Sequence, residues 1–390
     1  MTKQVLLGLA LLLAASPAGA APSQPLASAL RADLQRYLDA RGKAEHISAV
    51  SLSVSLRDRR TIDVAAGTTS YGGATPATTQ SLFQIGSNTK AFTSVLLLKL
   101  EGDGKLKLSQ TVGNWLPQYP AWKSVHLSTL LDMTSGIATY DDTRAWEAAI
   151  VADPARDFTP AELIAYVYGK KSLSKGWLYS NTGYALSELI AEKASGQPYA
   201  AMLRSRVIAA AGLRSTYYSG ETYSADLRAR TVSGYYDDTS AGAGGLKPLV
   251  GRDVRDFSVS WAGAAGAIVA TPHDVAQWAR QLYQGSILTA AQRASIERLV
   301  SQKTAKPISD VTPSDPRGFG LGVARLYKPG LGAFWFYEGM TLGYRVVHAY
   351  FPKQDVVVVV GANSQPAPQE NQLPALLQTV AKTLAQYGSF

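Results

Sequence analysis

Residues 83–98 read Phe83-Gln84-Ile85-Gly86-Ser87-Asn88-Thr89-Lys90 and then, almost without polar interruption, Ala91-Phe92-Thr93-Ser94-Val95-Leu96-Leu97-Leu98. The apolar run predicts a buried helix that begins at Ser87. Residues three apart on a helix are neighbours, with about 5–6 Å between their Cβ atoms, so Ser87 and Lys90 should share one face. A serine beside a possible base, at a helix start whose free N–H groups can bind an oxyanion, is a candidate nucleophile.

On either side of this stretch, the two ends of the chain predict the strands of a sheet. Residues 50–56 alternate Val or Leu with Ser, which is typical of a strand with one buried face, and residues 61–66 follow after a turn. Residues 344–351 and 356–360 predict two more strands, of which the five-valine run should be buried on both faces. Apolar stripes predict an N-terminal helix over residues 26–38 and a C-terminal helix over residues 373–384.

The middle of the chain predicts mainly helices, at residues 91–100, 128–133, 161–168, 183–193, 199–211 and 271–283. The expected fold class is α/β (α+β), with one antiparallel sheet flanked by N- and C-terminal helices and a large inserted helical domain. Residues 21–86 together with 301–390 would form the sheet-and-helix domain, and residues 87–300 the helical domain. Within it, residues 214–262 are rich in Gly, Ser, Tyr and Asp and predict an irregular excursion, which could shape a binding site or be plain surface.

Composition excludes several classes of protein. The 390 residues are 46% hydrophobic and 17% charged, which excludes a disordered chain. The net charge of +9 comes without a long Lys/Arg block, so no nucleic-acid partner is expected. There is no cysteine, and the four histidines are scattered, so neither a disulfide nor a metal site is expected. No Gly-rich loop ends in Gly-Lys-Ser/Thr, and no cofactor is implied.

Residues 1–20 have the features of a secretory signal peptide. Lys3 precedes an apolar run over residues 5–15, and Ala18-Gly19-Ala20 offers small residues at the cleavage site. Cleavage is expected after Ala20, which would leave a mature chain with no membrane anchor. The protein is therefore expected to be periplasmic or secreted, and its partner to be a small-molecule or peptide substrate.

A second polar segment reads Gly176-Trp177-Leu178-Tyr179-Ser180-Asn181-Thr182-Gly183-Tyr184 and leads into a predicted helix. Tyr179 could supply a phenolate base, and Asn181 an amide that hydrogen-bonds a substrate. Taken alone, such a segment is more often an ordinary turn with an aromatic anchor.

Taken together, the motifs resemble the serine β-lactamase and penicillin-binding-protein superfamily, in its class C β-lactamase and D-Ala-D-Ala carboxypeptidase branch. The resemblance covers nearly the whole chain after residue 20. It rests on Leu82-Phe83-Gln84-Ile85 before Ser87 and Lys90, Gly104-Lys105-Leu106-Lys107-Leu108, Leu116-Pro117, Leu130-Leu131-Asp132-Met133-Thr134-Ser135-Gly136, Tyr179-Ser180-Asn181-Thr182-Gly183-Tyr184, Ala264-Ala265-Gly266, and Gly339-Met340-Thr341-Leu342-Gly343-Tyr344.

The resemblance implies a β-lactamase/transpeptidase-like fold and a role for each matching residue. Ser87 would be the acylated nucleophile, Lys90 its hydrogen-bonded partner, and Tyr179 the general base and later acid. Asn181 would contact the substrate amide. The backbone N–H groups of Ser87 and Met340 would form the oxyanion hole, and no metal or cofactor would be needed.

The third motif departs from the family, which usually has Lys-Thr-Gly or His-x-Gly there, whereas this sequence has Tyr337-Glu338-Gly339. The usual cation helps to bind a substrate carboxylate, so activity on β-lactams or C-terminal D-alanine is in doubt. Arg345 could restore a positive charge, or it could be a salt-bridged strand residue. Glu338 could recognise a substrate ammonium, as an amino-acid amidase needs, or point outwards. Met133 stands where relatives often carry histidine and is expected to be structural.

Three functions remain open from the sequence. The first is an exported serine hydrolase that cleaves amide, peptide or β-lactam bonds. The second is a carboxylesterase or acyl transferase with the same residues, which the neutral Tyr337 and the tyrosines of the excursion favour (Tyr217, Tyr218, Tyr223, Tyr235 and Tyr236). The third is a catalytically silent binding protein, although such a protein has no chemical need for Ser87, Lys90, Tyr179 and Asn181 together.

Overall fold

The structure is a computed structural model that describes residues 23–170, 173–218 and 224–390. The predicted signal peptide and Tyr223 lie outside the described residues. The helices run over α1 Ser23–Arg41, α2 Thr89–Gly102, α3 Val112–Trp115, α4 Leu127–Leu131, α5 Arg144–Ala152, α6 Pro160–Ala165, α7 Asn181–Ser195, α8 Tyr199–Met202, α9 Ala225–Arg230, α10 Gly263–Gly266, α11 Pro272–Tyr283, α12 Ala290–Ile296 and α13 Leu373–Gln386.

The strands are numbered in chain order, as the helices are. They run over β1 Ala49–Ser55, β2 Thr61–Gly67, β3 Phe83–Gln84, β4 Thr216–Tyr218, β5 Tyr235–Asp237, β6 Ile268–Ala270, β7 Leu299–Ser301, β8 Pro307–Ile308, β9 Arg317–Phe319, β10 Ala324–Lys328, β11 Gly332–Thr341, β12 Tyr344–Phe351, β13 Val356–Ala362 and β14 Ser364–Pro366.

In the described part of the chain, nine strands form one antiparallel sheet in the order β2-β1-β13-β12-β11-β10-β9-β7-β8. The two ends of the chain meet where β1 pairs with β13, with Leu52 opposite Val360. Helices α1 and α13 pack together on one face of the sheet, and α11 packs on the other against β1, β12 and β13. The α+β class with an antiparallel sheet is therefore confirmed.

Strand β13 is buried on both faces, as its five consecutive valines predicted. Val356, Val358 and Val360 face α1 and α13, whereas Val357 and Val359 face the larger core that includes the helices of residues 87–300. Because every residue of this strand is apolar, it can sit between two helical layers without burying a polar side chain.

The prediction that β1 has one buried face was wrong, because all seven of its residues are buried. Its serines lie beneath α11, and their small hydroxyls can be covered at low cost when they find a partner. Ser55 does so: its Oγ accepts a hydrogen bond of 3.0 Å from Nε of Arg280 on α11. The alternation of Ser with Val or Leu therefore corresponds to two different buried faces, and neither face is exposed to solvent.

The predicted helices of the middle region are present with shifted ends. The segment over residues 199–211 is α8 followed by a wider helical turn over Leu203–Ile208. The excursion over residues 214–262 carries β4, α9 and β5 and short 3₁₀ turns. Within the described ranges, none of the helices is both long and apolar enough to cross a membrane.

Candidate active site

Ser87 lies in a tight turn between a small sheet and a buried helix. Strand β3 pairs with β6, and the chain then forms a 3₁₀ turn over Gly86–Asn88 before α2 begins at Thr89. The predicted helix is therefore present, but it starts two residues after Ser87. The tighter turn places Ser87 half-exposed at the end of an otherwise buried helix.

The side chain of Asn88 attaches this turn to the large sheet. Its Nδ2 donates to the carbonyl oxygens of Ile85 and Val346, each at 2.8 Å, and its Oδ1 lies 2.7 Å from Nδ1 of His348. Since Oδ1 can only accept, His348 must carry its proton on Nδ1, and its Nε2 accepts from the Tyr283 hydroxyl at 3.1 Å. Burial lowers the pKa of His348 to about 4, so the ring is neutral near pH 7 and holds Asn88 in place.

Two of the predicted side chains meet at the Ser87 hydroxyl. The Lys90 Nζ lies 3.0 Å from the Ser87 Oγ, and the Tyr179 hydroxyl lies 2.6 Å from the same atom. The two candidate proton acceptors therefore both lie within hydrogen-bond reach of the candidate nucleophile, which is the geometry that serine activation requires.

Lys90 is fully buried and its position is fixed by two further acceptors. Its Nζ donates to Oδ1 of Asn181 at 2.6 Å and to the carbonyl oxygen of Ala265 at 3.0 Å. It also lies 4.8 Å from the centre of the Tyr179 ring. With Ser87 as the third partner, all three hydrogens of an ammonium group would have an acceptor.

Asn181 begins α7, where Ser180 caps the helix by accepting from the N–H of Gly183. Its amide joins Lys90 on one side to Asp141 on the other, because Nδ2 donates to Oδ2 of Asp141 at 2.7 Å. Asp141 also accepts from the hydroxyl of Thr139, whose Oγ1 accepts in turn from the N–H of Asn181. Asn181 thus connects this carboxylate to Lys90. The sequence analysis did not identify Asp141, because Asp141-Asp142 looks like an ordinary acidic turn.

Strand β11 approaches the turn of Ser87 so closely that glycine is required on both sides. A Cβ on Gly339 would lie 1.9 Å from the Ile85 carbonyl oxygen and 2.8 Å from the backbone nitrogen of Ser87. A Cβ on Gly86, whose φ is +51°, would lie 2.5 Å from the backbone nitrogen of Met340. The nitrogens of Ser87 and Met340 therefore belong to two backbone segments in direct contact.

Tyr337 occupies the place of the usual cation of the third motif. Its hydroxyl donates to that of Tyr179 across 3.5 Å, and its ring packs edge-on against Phe319. Burial, together with the neighbouring Tyr179, raises the pKa of Tyr337 well above its ordinary value, so it stays a neutral phenol. The position next to the Tyr179 hydroxyl is thus a hydrogen-bond donor without a charge.

The contacts of Arg345 and Glu338 show whether each side chain faces the cavity. Arg345 is fully buried and pairs with the equally buried Glu45 at 2.8 Å, so it is a structural ion pair and supplies no cation to the cavity. Its NH1 also donates at 2.5 Å to Oδ1 of Asn371. Asn371 then donates through Nδ2 to Glu338 at 2.7 Å, which holds this half-buried carboxylate at the cavity wall.

These residues open into a cavity of about 790 Å³. Ser87, Tyr179, Asn181, Tyr337 and Met340 all line it. Its walls carry five carboxylates against one exposed arginine, and several large aromatic rings. The carboxylates are Asp141, Asp142, Glu147, Asp238 and Glu338, the arginine is Arg317, and the aromatic residues include Trp146, Trp177, Tyr236, Trp261, Phe319 and Phe336.

The excursion over residues 214–262 forms part of this wall, since Tyr236, Asp238, Leu246 and Trp261 belong to it. These residues therefore line the cavity beside Ser87 and are not plain surface. Met133, as expected, is structural: it is fully buried, and its sulfur accepts from the N–H of Ser180 at 3.3 Å. Within the described ranges, no group of His, Asp and Glu residues is arranged to hold a metal ion.

The chain is similar to several known proteins. A model of the Beta-lactamase family matches residues 34–381. Penicillin-binding protein 4* of Bacillus subtilis is 28% identical over 271 residues, 69% of this chain and 58% of that protein. A β-lactamase of Providencia stuartii is 27% identical over 45% of this chain and 44% of its own length. The chain thus spans about three fifths of the first curated relatives it matches, or less.

Among solved structures, the D-amino acid amidase of Ochrobactrum anthropi SV3, complexed with L-phenylalanine amide, superimposes with a TM-score of 0.77. The two are 22% identical, over 94% of this chain and 100% of that one. A D-stereospecific amidohydrolase from a Streptomyces species gives a TM-score of 0.70 at 23% identity, over 85% and 94% of the two chains. At these identities the likeness concerns the fold. The family match across residues 34–381 shows that the chain belongs to the β-lactamase family, within the serine β-lactamase and penicillin-binding-protein superfamily.

Proposed function

We propose that the protein is a serine hydrolase that cleaves amide or peptide bonds through an acyl-enzyme at Ser87. The observation that carries the proposal is the hydrogen-bonded group of Ser87, Lys90 and Tyr179 at the floor of an open cavity. Each of the three has a partner that holds it in place, and a silent binding protein has no use for such an arrangement.

In the first step, Tyr179 acts as a phenolate and takes the proton of the Ser87 hydroxyl while Oγ attacks the carbonyl carbon of the substrate. The negative charge that forms on the carbonyl oxygen is stabilised by the N–H groups of Ser87 and Met340. The carbon–nitrogen bond then breaks, and the leaving nitrogen takes the proton from Tyr179. Lys90 stays in contact with Ser87 throughout and orients the hydroxyl for attack.

In the second step, a water molecule attacks the Ser87 ester. Tyr179 again takes the proton, the bond to Oγ breaks, and the proton returns to Ser87, which releases a carboxylic acid. Asn181 can bind the acyl portion of the substrate, because one hydrogen of its Nδ2 is committed to Asp141 and the other remains available.

For the substrate we propose an amide or short peptide with a free amino group. The cavity has five carboxylates on its walls, and Asp141 lies next to the amide of Asn181, where the acyl portion would bind. Tyr337 provides no positive charge that could bind a substrate carboxylate, and Arg345 is already paired with Glu45. The likeness to a D-amino acid amidase and a D-stereospecific amidohydrolase favours the same class.

A carboxylesterase is the second candidate, and the aromatic walls and the neutral Tyr337 favour it. The experiment is intact mass of the protein and of Ser87→Ala after brief mixing with a penicillin, a short-chain activated ester, or D- and L-amino-acid amides. A mass increase confined to the unmutated protein would establish the acyl-enzyme, and the donor would identify the class. Full turnover by Ser87→Ala would refute the assignment of the nucleophile. Absence of adduct and product with every donor would favour a binding protein.

We also propose that the protein is exported, on the basis of residues 1–20. N-terminal sequencing of the protein from its native host tests this directly. A mature chain that begins at Ala21 would support the proposal, and a cytoplasmic protein that retains Met1 or Thr2 at its N terminus would contradict it.

A further inference from the structure

The cavity has a second, apolar groove beside it. This groove of about 350 Å³ lies between strands β10 and β11 and the start of α13. Its apolar residues are Leu326, Leu331, Phe334, Phe336, Pro374 and Leu377. Arg317, Leu326, Phe336 and Glu338 line both the groove and the cavity, so the two are adjacent and share a wall.

The strand register explains how the shared wall is built. Phe319, Ala324 and Phe336 are paired side by side across β9, β10 and β11, and all three line the cavity. Two residues along each strand, Arg317, Leu326 and Phe334 form the next row, about 7 Å away, and line the groove. Since residues two apart on a strand face the same side, the two rows form one continuous surface.

This surface begins beside the reaction centre. Strand β10 pairs with β11 only as far as Phe336, so residues 337–341 have no strand partner on that side within the described chain. From Gly339 back to Phe334 the strand covers about 17 Å, the length of a chain of some five residues. A substrate bound at the free part of β11 would therefore reach the groove if it extended in that direction.

The direction corresponds to the leaving group of the proposed reaction. Tyr179, the proposed proton donor to the leaving nitrogen, contacts Tyr337. The Tyr337 ring packs against Phe319, and Phe319 lies in one row with Phe336, which lines both the cavity and the groove. With the acyl portion at Asn181 and Asp141, as in the proposed function, the amine portion lies on the Tyr337 side of the scissile bond.

We propose that the groove is a subsite for the leaving group, which binds an extended apolar chain on the amine side of the scissile amide. This inference rests on the proposed function and names its substrate class: amides of apolar amines, or peptides with apolar residues after the scissile bond. A free amino-acid amide, which releases only ammonia, would leave the groove empty and be cleaved more slowly than its long-chain N-alkylamides. Each buried methylene of the leaving amine should improve kcat/KM about fourfold.

The test uses n-alkylamides of D- and L-alanine, from methyl to octyl, with amine release as the readout. For the unmutated protein, log kcat/KM should rise with chain length, and Leu326→Asn should reduce the slope to less than half. Leu38→Asn on α1 is the matched control, since this leucine is also half-buried but belongs to the lining of neither the cavity nor the groove, and its slope should equal that of the unmutated protein. A purely structural defect would lower all rates together and leave the slope unchanged.

An unchanged slope in Leu326→Asn, or hydrolysis of the methylamide with no gain up to octyl, would overturn the subsite. A second measurement does not need turnover: calorimetric titration of the same three proteins with N-alkylacetamides. Their affinity should increase with chain length in the unmutated protein and in Leu38→Asn, but not in Leu326→Asn. If none of the amides were hydrolysed, the proposed function would fail, while the titration would still decide whether the groove binds alkyl chains.

Discussion

Replacement of Glu188 by glutamine should change how the stability of the protein depends on pH. Glu188 is a buried carboxylate on α7, two turns after Asn181. Its Oε2 accepts from the N–H of Ala264 at 3.0 Å, and its Oε1 lies 3.4 Å from the Tyr218 hydroxyl. Burial, together with the charge of Glu192, raises the pKa of Glu188 to about 7 from 4.5 in the unfolded chain.

The sign and size of the effect follow from this difference. Because the folded protein binds the proton more tightly, the stabilisation is complete below pH 4.5 and is lost as the pH rises to about 7. A difference between 4.5 and about 7 corresponds to about 3 kcal/mol of unfolding free energy. Glu188→Gln cannot ionise, and its Oε1 can still accept from Ala264, so it should lack this loss.

The assay is urea unfolding of both proteins between pH 4.5 and 8.5. The difference in unfolding free energy between Glu188→Gln and the unmutated protein should move by about 3 kcal/mol in favour of the variant across this range. As a control, Glu192→Gln removes the neighbouring charge that helps to raise the pKa of Glu188, and should make the loss smaller without removing it. A difference that does not vary with pH would show that Glu188 is not a buried acid with a raised pKa.

Three other substitutions test the site and its support. Tyr179→Phe should lower kcat about 10²- to 10⁴-fold with little change in the urea midpoint, because the lost hydroxyl contacts only Ser87 and, across 3.5 Å, Tyr337; a rate near that of the unmutated protein would exclude Tyr179 as the proton carrier. Gly339→Ala should reduce both acylation and the urea midpoint, since its Cβ would collide with the Ile85 carbonyl oxygen, and full acylation would contradict the close approach. Arg345→Met should lower the unfolding free energy by less than about 3 kcal/mol, because Glu45 loses its fully buried partner but keeps Arg41 and the Tyr37 hydroxyl, and the added change Glu45→Gln should recover part of the loss; equal losses in both variants would argue against the ion pair.

The elements that were predicted well have a strong local signal. The composition of the valine run of β13 and of the apolar helix α2 was enough to predict that both are buried. The order of the motifs was enough to identify the superfamily. Ser87, Lys90, Tyr179 and Asn181 were identified from short motifs, and the structure brings all four together.

The features that were missed depend on segments far apart in the chain. Whether Arg345 faced the cavity depended on Glu45, a residue near the other end of the chain, and the two faces of β1 depended on which helices cover the sheet. Asp141 acquired its place beside Asn181 only when two helical segments packed together.

The sequence by itself determined the periods of its helices and strands, the positions of its chemical groups, and the family to which it belongs. The tertiary structure alone decided which charges are neutralised, which face of each strand is covered, and that the cavity is acidic in a chain whose net charge is +9. The reason is physical: periodicity and motifs are properties of neighbouring residues, whereas the pairing of a charge and the shape of a cavity depend on side chains that only folding brings into contact.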